Sequence, residues 1–521
     1  MAKPRSKPQL SLQAPHVYDD APGIPADHWS RAFFQHIFCG FDDAQFADLY
    51  VEGGRHPVSP SLLAAVTLLQ YMFRASDRGA VENTLMRRDW RLALGIAPDY
   101  DGFDPTVLVN FRKRLVAHDM QREIFEAVLE RIAKLGLLKG RRRVRVDSTQ
   151  LIANVARLSR ADALQEAIRK LVCVLYDERP ELRADPQFQR LYETYGEEVW
   201  LGRDPQTDER LVTLGIDGRL LLRLCADYPL PARQILEQML AENFIFSEQD
   251  DTAPPQPLPP DQLSSGRIIS PHDPDAKGGK KGDKSWVGDK VHIVETADEE
   301  GPNFCVDVVT TDARIDDVEM TQTLAERTQQ VLPELDTSIE DAGYVSVENG
   351  IVLRKMGIDL VAPALVNTRK GFLLNTEFTV DWDRRQATCP AGHESVAWGV
   401  YRGETRIQFG AATCAACPRR AECTRSRHGR TICFGLHWEQ LQRDRERAKQ
   451  PEFQAVYRLR APIEATISHA VHECGLRRSR YRTAAKRELH AILAVAALNA
   501  RRLMSHLTNP PAAPKVQVCG A

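Results

Sequence analysis

Between positions 284 and 365 the chain switches repeatedly between two hydrophobic periods. KSWVGDKVHIVETAD and NFCVDVVTTDA read as neighbouring strands joined by an acidic turn at Asp298, Glu299 and Glu300. VEMTQTLAERTQQVL reads as a helix, TSIEDAGY as a strand, VENGIVLRKMG as a helix and IDLVAPAL as a final strand. Strands separated by helices of this length run parallel, and helices then cover the sheet. The segment therefore predicts an α/β layer. An earlier strand, VRVDST, leaves the basic turn KGRR with Val144 and Val146 on one face and Arg143, Arg145 and Asp147 on the other.

The rest of the 521 residues frames that layer. Residues 28–140 read as an all-α amino-terminal domain of four or five short helices. Ser59-Pro60 and Asp104-Pro105 supply capping side chains before prolines suited to a first helical turn. In the helix opened by Asp104, Leu108, Phe111 and Leu115 form a buried stripe, while Arg112, Lys113 and Arg114 project elsewhere and make it a candidate DNA reader. Residues 156–250 form a helical insertion, and 251–283, rich in Pro and then Gly, Lys and Asp, reads as a flexible linker. Residues 381–434 form a Cys-rich insertion, and 141–155, 284–380 and 435–505 are left as the core.

Lys+Arg 69 against Asp+Glu 71 gives a formal net charge of -2, so the chain is no uniformly basic nucleic-acid binder and any positive surface is local. No apolar run approaches the roughly 18 residues a bilayer span needs, and the amino terminus MAKPRSKPQLSLQAP lacks the apolar stretch of a secretory signal. A cytoplasmic setting without membrane partners is expected, with the 11 cysteines reduced.

In-line attack on a phosphodiester is served by two divalent cations held by carboxylates from separate elements. Asp147, Asp341 and Glu464 are the candidates, each near the end of a strand or the start of a helix. Singly, each also has an ordinary reading: a cap at Asp147, a turn residue at Asp341, an ion pair with Arg460 at Glu464. Pro462 predicts that a helix starts or kinks just before Glu464, where the helix dipole favours an anion.

The text around the three acids joins them. VRVDST, GDKSWVGDKVHIVETAD, DAGYVS and YRLRAPIEATISHAVHECGLRRSRYR, in that order, resemble bacterial insertion-sequence transposases of the DDE class. FDDAQFADLYVEGGRHPVSPSLLAAVTLLQYMF and FDPTVLVNFRKRL resemble the amino-terminal domain of the same transposases. The resemblance implies a ribonuclease-H-like mixed sheet with flanking helices, and a triad of Asp147, Asp341 and Glu464 binding Mg²⁺ or Mn²⁺. It implies cleavage at transposon ends, strand transfer into a target, and double-stranded DNA as partner. A homodimer in a synaptic complex, acting at the nucleoid, follows from the same resemblance. Tyr457, Arg460 and Glu464 match three positions of a Tyr, Arg, Glu, Lys signature, which makes Tyr457 and Arg460 candidate DNA contacts; the fourth is Val471, which leaves Arg477 or Arg478 to take the phosphate-contacting role of the lysine. A related metal-dependent nuclease and an inactive transposase-derived DNA-binding protein are the rival readings.

From Glu473 to Arg502 eight basic residues face two acids, a concentrated positive stretch that includes Arg477, Arg478, Arg480 and Arg482. Tyr481 among them can stack on a splayed base. Lys139, Arg141, Arg142, Arg143 and Arg145 form a second candidate clamp on the DNA backbone, and Lys284, Lys290 or His292 can reach the substrate from their strand. His292 alone on a strand reads as a packed or hydrogen-bonded residue. Cys389, Cys414, Cys417 and Cys423, two of them spaced CxxC, suit tetrahedral Zn²⁺ in a zinc knuckle, with His393, His428 and Cys433 in reserve. Cys39, Cys173, Cys225, Cys305, Cys474 and Cys519 show no ligand spacing.

Overall fold

A six-stranded mixed sheet organises the molecule: β1 (Arg143–Ile152), β2 (Lys277–Lys281), β3 (Lys284–Thr296), β4 (Cys305–Asp312), β5 (Thr337–Ile339) and β6 (Asp359–Val361). The computed structural model describes residues 23–509 except 51–57, 98–99, 156–157, 198–206, 248, 251–252, 300 and 364–371, so Cys519 lies outside the described residues.

Across the sheet the order is β4, β3, β1, β5, β6, with β2 in a hairpin against the start of β3. β3 runs antiparallel to both β1 and β4, whereas β5 and β6 run parallel to β1. The expected hairpin 284–312 and the alternation after it are thus present, with helices Asp317–Val331 and Val347–Lys355 as the crossovers. β1 is central, so its polar alternate positions face protein as well: Arg145 and Asp147 are buried along with Val144 and Val146.

Helix Ala484–Thr508 explains how the layers join. Its AILAVAAL run is apolar all round, the pattern of a helix surrounded by protein, and residues Ala491 to Asn499 are buried throughout. One side packs on β4, where Asn499 Oδ1 accepts the Cys305 N–H at 2.9 Å and its Nδ2 donates to the Cys305 carbonyl at 2.7 Å. The other packs on helix Pro60–Met72 of the amino-terminal block: the Tyr71 hydroxyl lies 3.0 Å from His490 Nδ1, and Arg501 donates to the Met72 carbonyl. Amino-terminal helices, sheet and last helix share one hydrophobic core.

The stretch around 160–243 packs on its own core through Leu164, Ile168, Leu171, Leu214, Leu236 and neighbours. The segment expected to be a flexible linker makes fixed contacts instead. Ile268, Ser270, Asp273 and Ala276 are buried, and the fully buried Arg487 pairs with both Asp273 and Asp289. Pro and Gly content signalled a tether, but a buried guanidinium more than 200 residues away supplies the partner that composition cannot show. No helix among the described residues is long and apolar enough to cross a membrane.

Candidate catalytic site

Asp147 lies mid-strand on β1, opposite Ile293 of β3. Its Oδ1 accepts the Ser148 N–H at 2.7 Å. Asp341 follows β5 by two residues and caps a short turn, its Oδ1 accepting the Gly343 N–H at 2.7 Å. A Cβ at Gly343 would lie 2.9 Å from that same oxygen, so a side chain there would shift the Asp341 carboxylate. Glu464 occupies the first turn of helix Ile463–His472, which begins directly after Pro462 and follows helix Pro451–Arg458. Proline thus starts a new helix, and Glu464 gains the favourable end of its dipole.

The three acids meet around Arg460, which sits in the turn between those helices. Its Nη2 is 2.8 Å from Asp147 Oδ2, 3.6 Å from Asp341 Oδ2 and 3.9 Å from Glu464 Oε1. With both longer legs measured from one nitrogen, no two of these three oxygens are more than 7.5 Å apart (3.6 plus 3.9). Asp147 is almost fully covered, while the Glu464 side chain is 70% exposed. Burial pushes the Asp147 carboxyl up to about 6; the Arg460 charge and the Ser148 N–H oppose that rise, and Asp341 and Glu464 add to it.

A buried network fixes the two sides of this cluster. Arg145, two residues before Asp147, donates from Nε to Glu295 at 2.6 Å and from Nη1 to the Leu459 carbonyl at 3.0 Å. Thr466, on the Glu464 helix, donates to both Glu295 oxygens at 2.8 and 2.9 Å, and Arg502 closes the network on Glu295. On the other flank Asp317 accepts from the Ser148 hydroxyl at 3.0 Å and from Lys290 at 3.1 Å. Neither Glu295 nor Asp317 carries a sequence signal, since an acid at the end of a strand or the start of a helix is ordinary.

Several basic candidates are committed elsewhere. Arg112 is buried, with bonds to Asp77 and Gln70, so it is no DNA contact as it stands; helical spacing marked its apolar neighbours but not its partner 35 residues earlier. Arg145 is likewise a buried structural cation rather than a clamp. Tyr481 packs between Arg112 and His490 instead of standing free to stack. Arg141 pairs with Asp298 and Arg142 with Asp336. Lys290 is tied to Asp317 and the Ile315 carbonyl, and buried His292 lies 2.7 Å from the Tyr344 hydroxyl. Lys113, Arg478, Arg480 and Arg482 are exposed. Arg477 donates to the Gln150 carbonyl, and residues 477–479 run beside the end of β1. Tyr457 is half-buried on the wall of a cleft of about 930 Å³ that also presents Arg445 and Lys449.

In the Cys-rich insertion, Cys389, Cys414, Cys417 and Cys423 line a single small cavity together with His393. The Cys389 and Cys414 sulfurs accept the N–H groups of His393 and Arg430, each at 3.4 Å. Exposed Cys433 lines the larger cleft instead. As the side chains stand, no group of three or more His, Cys, Asp or Glu among the described residues is arranged to hold a metal ion. At the acid cluster, the guanidinium of Arg460 stands among the carboxylates.

Comparison with known families adds two matches. The family described as Transposase domain (DUF772) matches residues 22–114, and the Transposase DDE domain matches residues 388–504. The second span contains Glu464 but neither Asp147 nor Asp341. No curated protein and no solved structure matches. The DDE-domain match suggests a nuclease- or transposase-type enzyme. The two matches, one towards each end of the chain, support an insertion-sequence transposase of the DDE class.

Proposed function

We propose that the chain binds the ends of an insertion sequence, cuts DNA there and joins the freed ends to a target, with Asp147, Asp341 and Glu464 as its catalytic acids. The observation that carries this reading is the meeting of three carboxylates, from β1, the end of β5 and a distant helix, on one guanidinium nitrogen. The sheet order β4, β3, β1, β5, β6 supports reading residues 141–155, 284–380 and 435–505 as a ribonuclease-H-like core.

The donor set is all oxygen, as Mg²⁺ or Mn²⁺ prefers, and Asp147, Asp341 and Glu464 would hold the ions. Bound there, such a pair activates the attacking oxygen and stabilises the leaving one. Asp147 is fixed by the sheet and Asp341 by the turn that follows β5, while exposed Glu464 has room to adjust. Water is the first nucleophile and a freed 3′-hydroxyl the second. Tyr457 and the exposed bases Arg478, Arg480 and Arg482 line the approach of the DNA, and Lys113 contributes from the amino-terminal helices at 28–140. Synapsis of two ends calls for a homodimer. The four cysteines at one cavity suit a structural Zn²⁺ in residues 381–434.

The test supplies the protein with a DNA fragment carrying the inverted repeats that flank its coding region, a plasmid target and Mg²⁺. Joined products are expected. Cleavage without joining indicates a hydrolytic nuclease, and binding without cleavage an inactive derivative.

A further inference from the structure

Arg460 sits where a cation is wanted and where a metal would have to be. One nitrogen lies within 4.0 Å of oxygens from three carboxylates, with Asp147 closest at 2.8 Å. The side chain is only 16% exposed, and its buried Nε has no acceptor among the described residues. The guanidinium is thus drawn in by charge without having all its donors satisfied. Its backbone is held from behind, since Arg145 grips the Leu459 carbonyl and Thr466 ties the following helix to Glu295. The turn that bears Arg460 is therefore anchored by contacts other than its guanidinium.

A divalent ion bound to these carboxylates takes their oxygens at about 2.0–2.1 Å for Mg²⁺. A guanidinium hydrogen-bonded to Asp147 Oδ2 competes for that oxygen's lone pairs, and its charge beside all three acids repels the ion at short range. Both cannot hold the cluster together. We propose that Arg460 is a resident counter-ion of the three acids, a positioning residue that keeps them gathered in metal-free protein and is displaced when a divalent cation loads. The displaced guanidinium lies beside the acids, free to pair with a phosphate. Metal loading and phosphate binding are consequently linked, each favouring the conformer in which Arg460 has left the acids. This rests on the catalytic reading above and adds an order of events to it.

The experiment titrates full-length protein with Mn²⁺ and follows the free-ion signal by electron paramagnetic resonance, with and without duplex DNA. Wild type, Arg460→Gln, Arg460→Lys and Asp147→Asn are compared, and thermal unfolding in chelator verifies that each is folded. Without DNA, Arg460→Gln should bind Mn²⁺ about tenfold tighter than wild type, a change of about 1.4 kcal/mol, and Arg460→Lys should stay close to wild type. Duplex DNA should tighten Mn²⁺ binding by wild type but barely by Arg460→Gln. Mn²⁺ affinity that Asp147→Asn removes but Arg460→Gln leaves unchanged or weakens overturns the counter-ion role alone. Mn²⁺ binding that is absent in wild type and Arg460→Gln, or indifferent to Asp147→Asn, overturns the catalytic reading and the counter-ion with it.

Discussion

Arg145 on β1 donates to the Leu459 carbonyl at 3.0 Å, tying the strand that carries Asp147 to the turn that carries Arg460. The same guanidinium pairs with Glu295, whose side chain is 1% exposed. Removing one partner of a buried pair leaves charge without compensation, at a cost of about 3 kcal/mol or more. Arg145→Met should therefore lower unfolding stability by that order, moderated because Arg502 and Thr466 still reach Glu295. It should also slow cleavage at least about tenfold by loosening the turn. Denaturant unfolding checks the first effect and a cleavage time course the second; a stable, fully active variant contradicts the positioning role.

Glu340 sets a pH dependence. It is buried beside Asp341, its Oε1 accepts the Ser338 hydroxyl at 2.6 Å, and its Oε2 makes no geometrically close hydrogen bond among the described residues. Burial pushes this carboxyl up to about 8 from an ordinary 4.5. The folded protein keeps a proton that the unfolded chain loses, so this contribution is complete below about 4.5 and disappears as pH rises through about 8. Glu340→Gln, which stays neutral, should gain stability relative to wild type between pH 5 and 9 by the order of a few kcal/mol. Melting temperatures across that range decide it: the two curves should diverge with pH, and parallel curves contradict the buried protonated acid.

Arg112 and Lys113 are neighbours with opposite expected effects. Arg112 is buried on Asp77, whose side chain is 31% exposed, so Arg112→Ala should cost about 1–2 kcal/mol. It should leave the salt dependence of DNA binding unchanged. Lys113→Ala should leave stability within about 0.5 kcal/mol and reduce the logarithmic salt slope by about 0.9. Binding isotherms at several salt concentrations, alongside unfolding curves, separate the two; a slope that moves with Arg112 instead contradicts its assignment as structural.

These residues also show what could be read in advance. The hairpin 284–312 and the helix–strand alternation after it were legible because their periods are local and their elements amphipathic. The three acids could be singled out as candidates only through the text around them, since each alone has a turn, cap or ion-pair reading. Arg112, Arg145 and Arg487 were not legible: a charged residue becomes interior only when a distant partner arrives, and Asp77, Glu295 and Asp273 are 35, 150 and 214 residues away. Sequence spacing contains nothing of that. Glu340 was hidden similarly, one position before an acid that attracted the attention.

The cysteine cavity predicts a metal content. Protein purified under reducing conditions should carry about one Zn²⁺ per chain, lost in the double variant Cys414→Ser, Cys417→Ser. Chelation should then open residues 381–434 to protease, while the sheet and last helix, with their own core, remain resistant. Elemental analysis and limited proteolysis measure both. Metal-free protein with the same resistance would make the cavity a packing of ordinary thiols.

The most direct test of the three-acid centre is cleavage of DNA bearing the transposon ends by Asp147→Asn, Asp341→Asn and Glu464→Gln, each in Mg²⁺ and each measured beside end binding. All three should lose at least about 10³-fold in cleavage rate while still binding the ends within a few-fold of wild type. Near-normal cleavage by any one of them contradicts a shared catalytic centre.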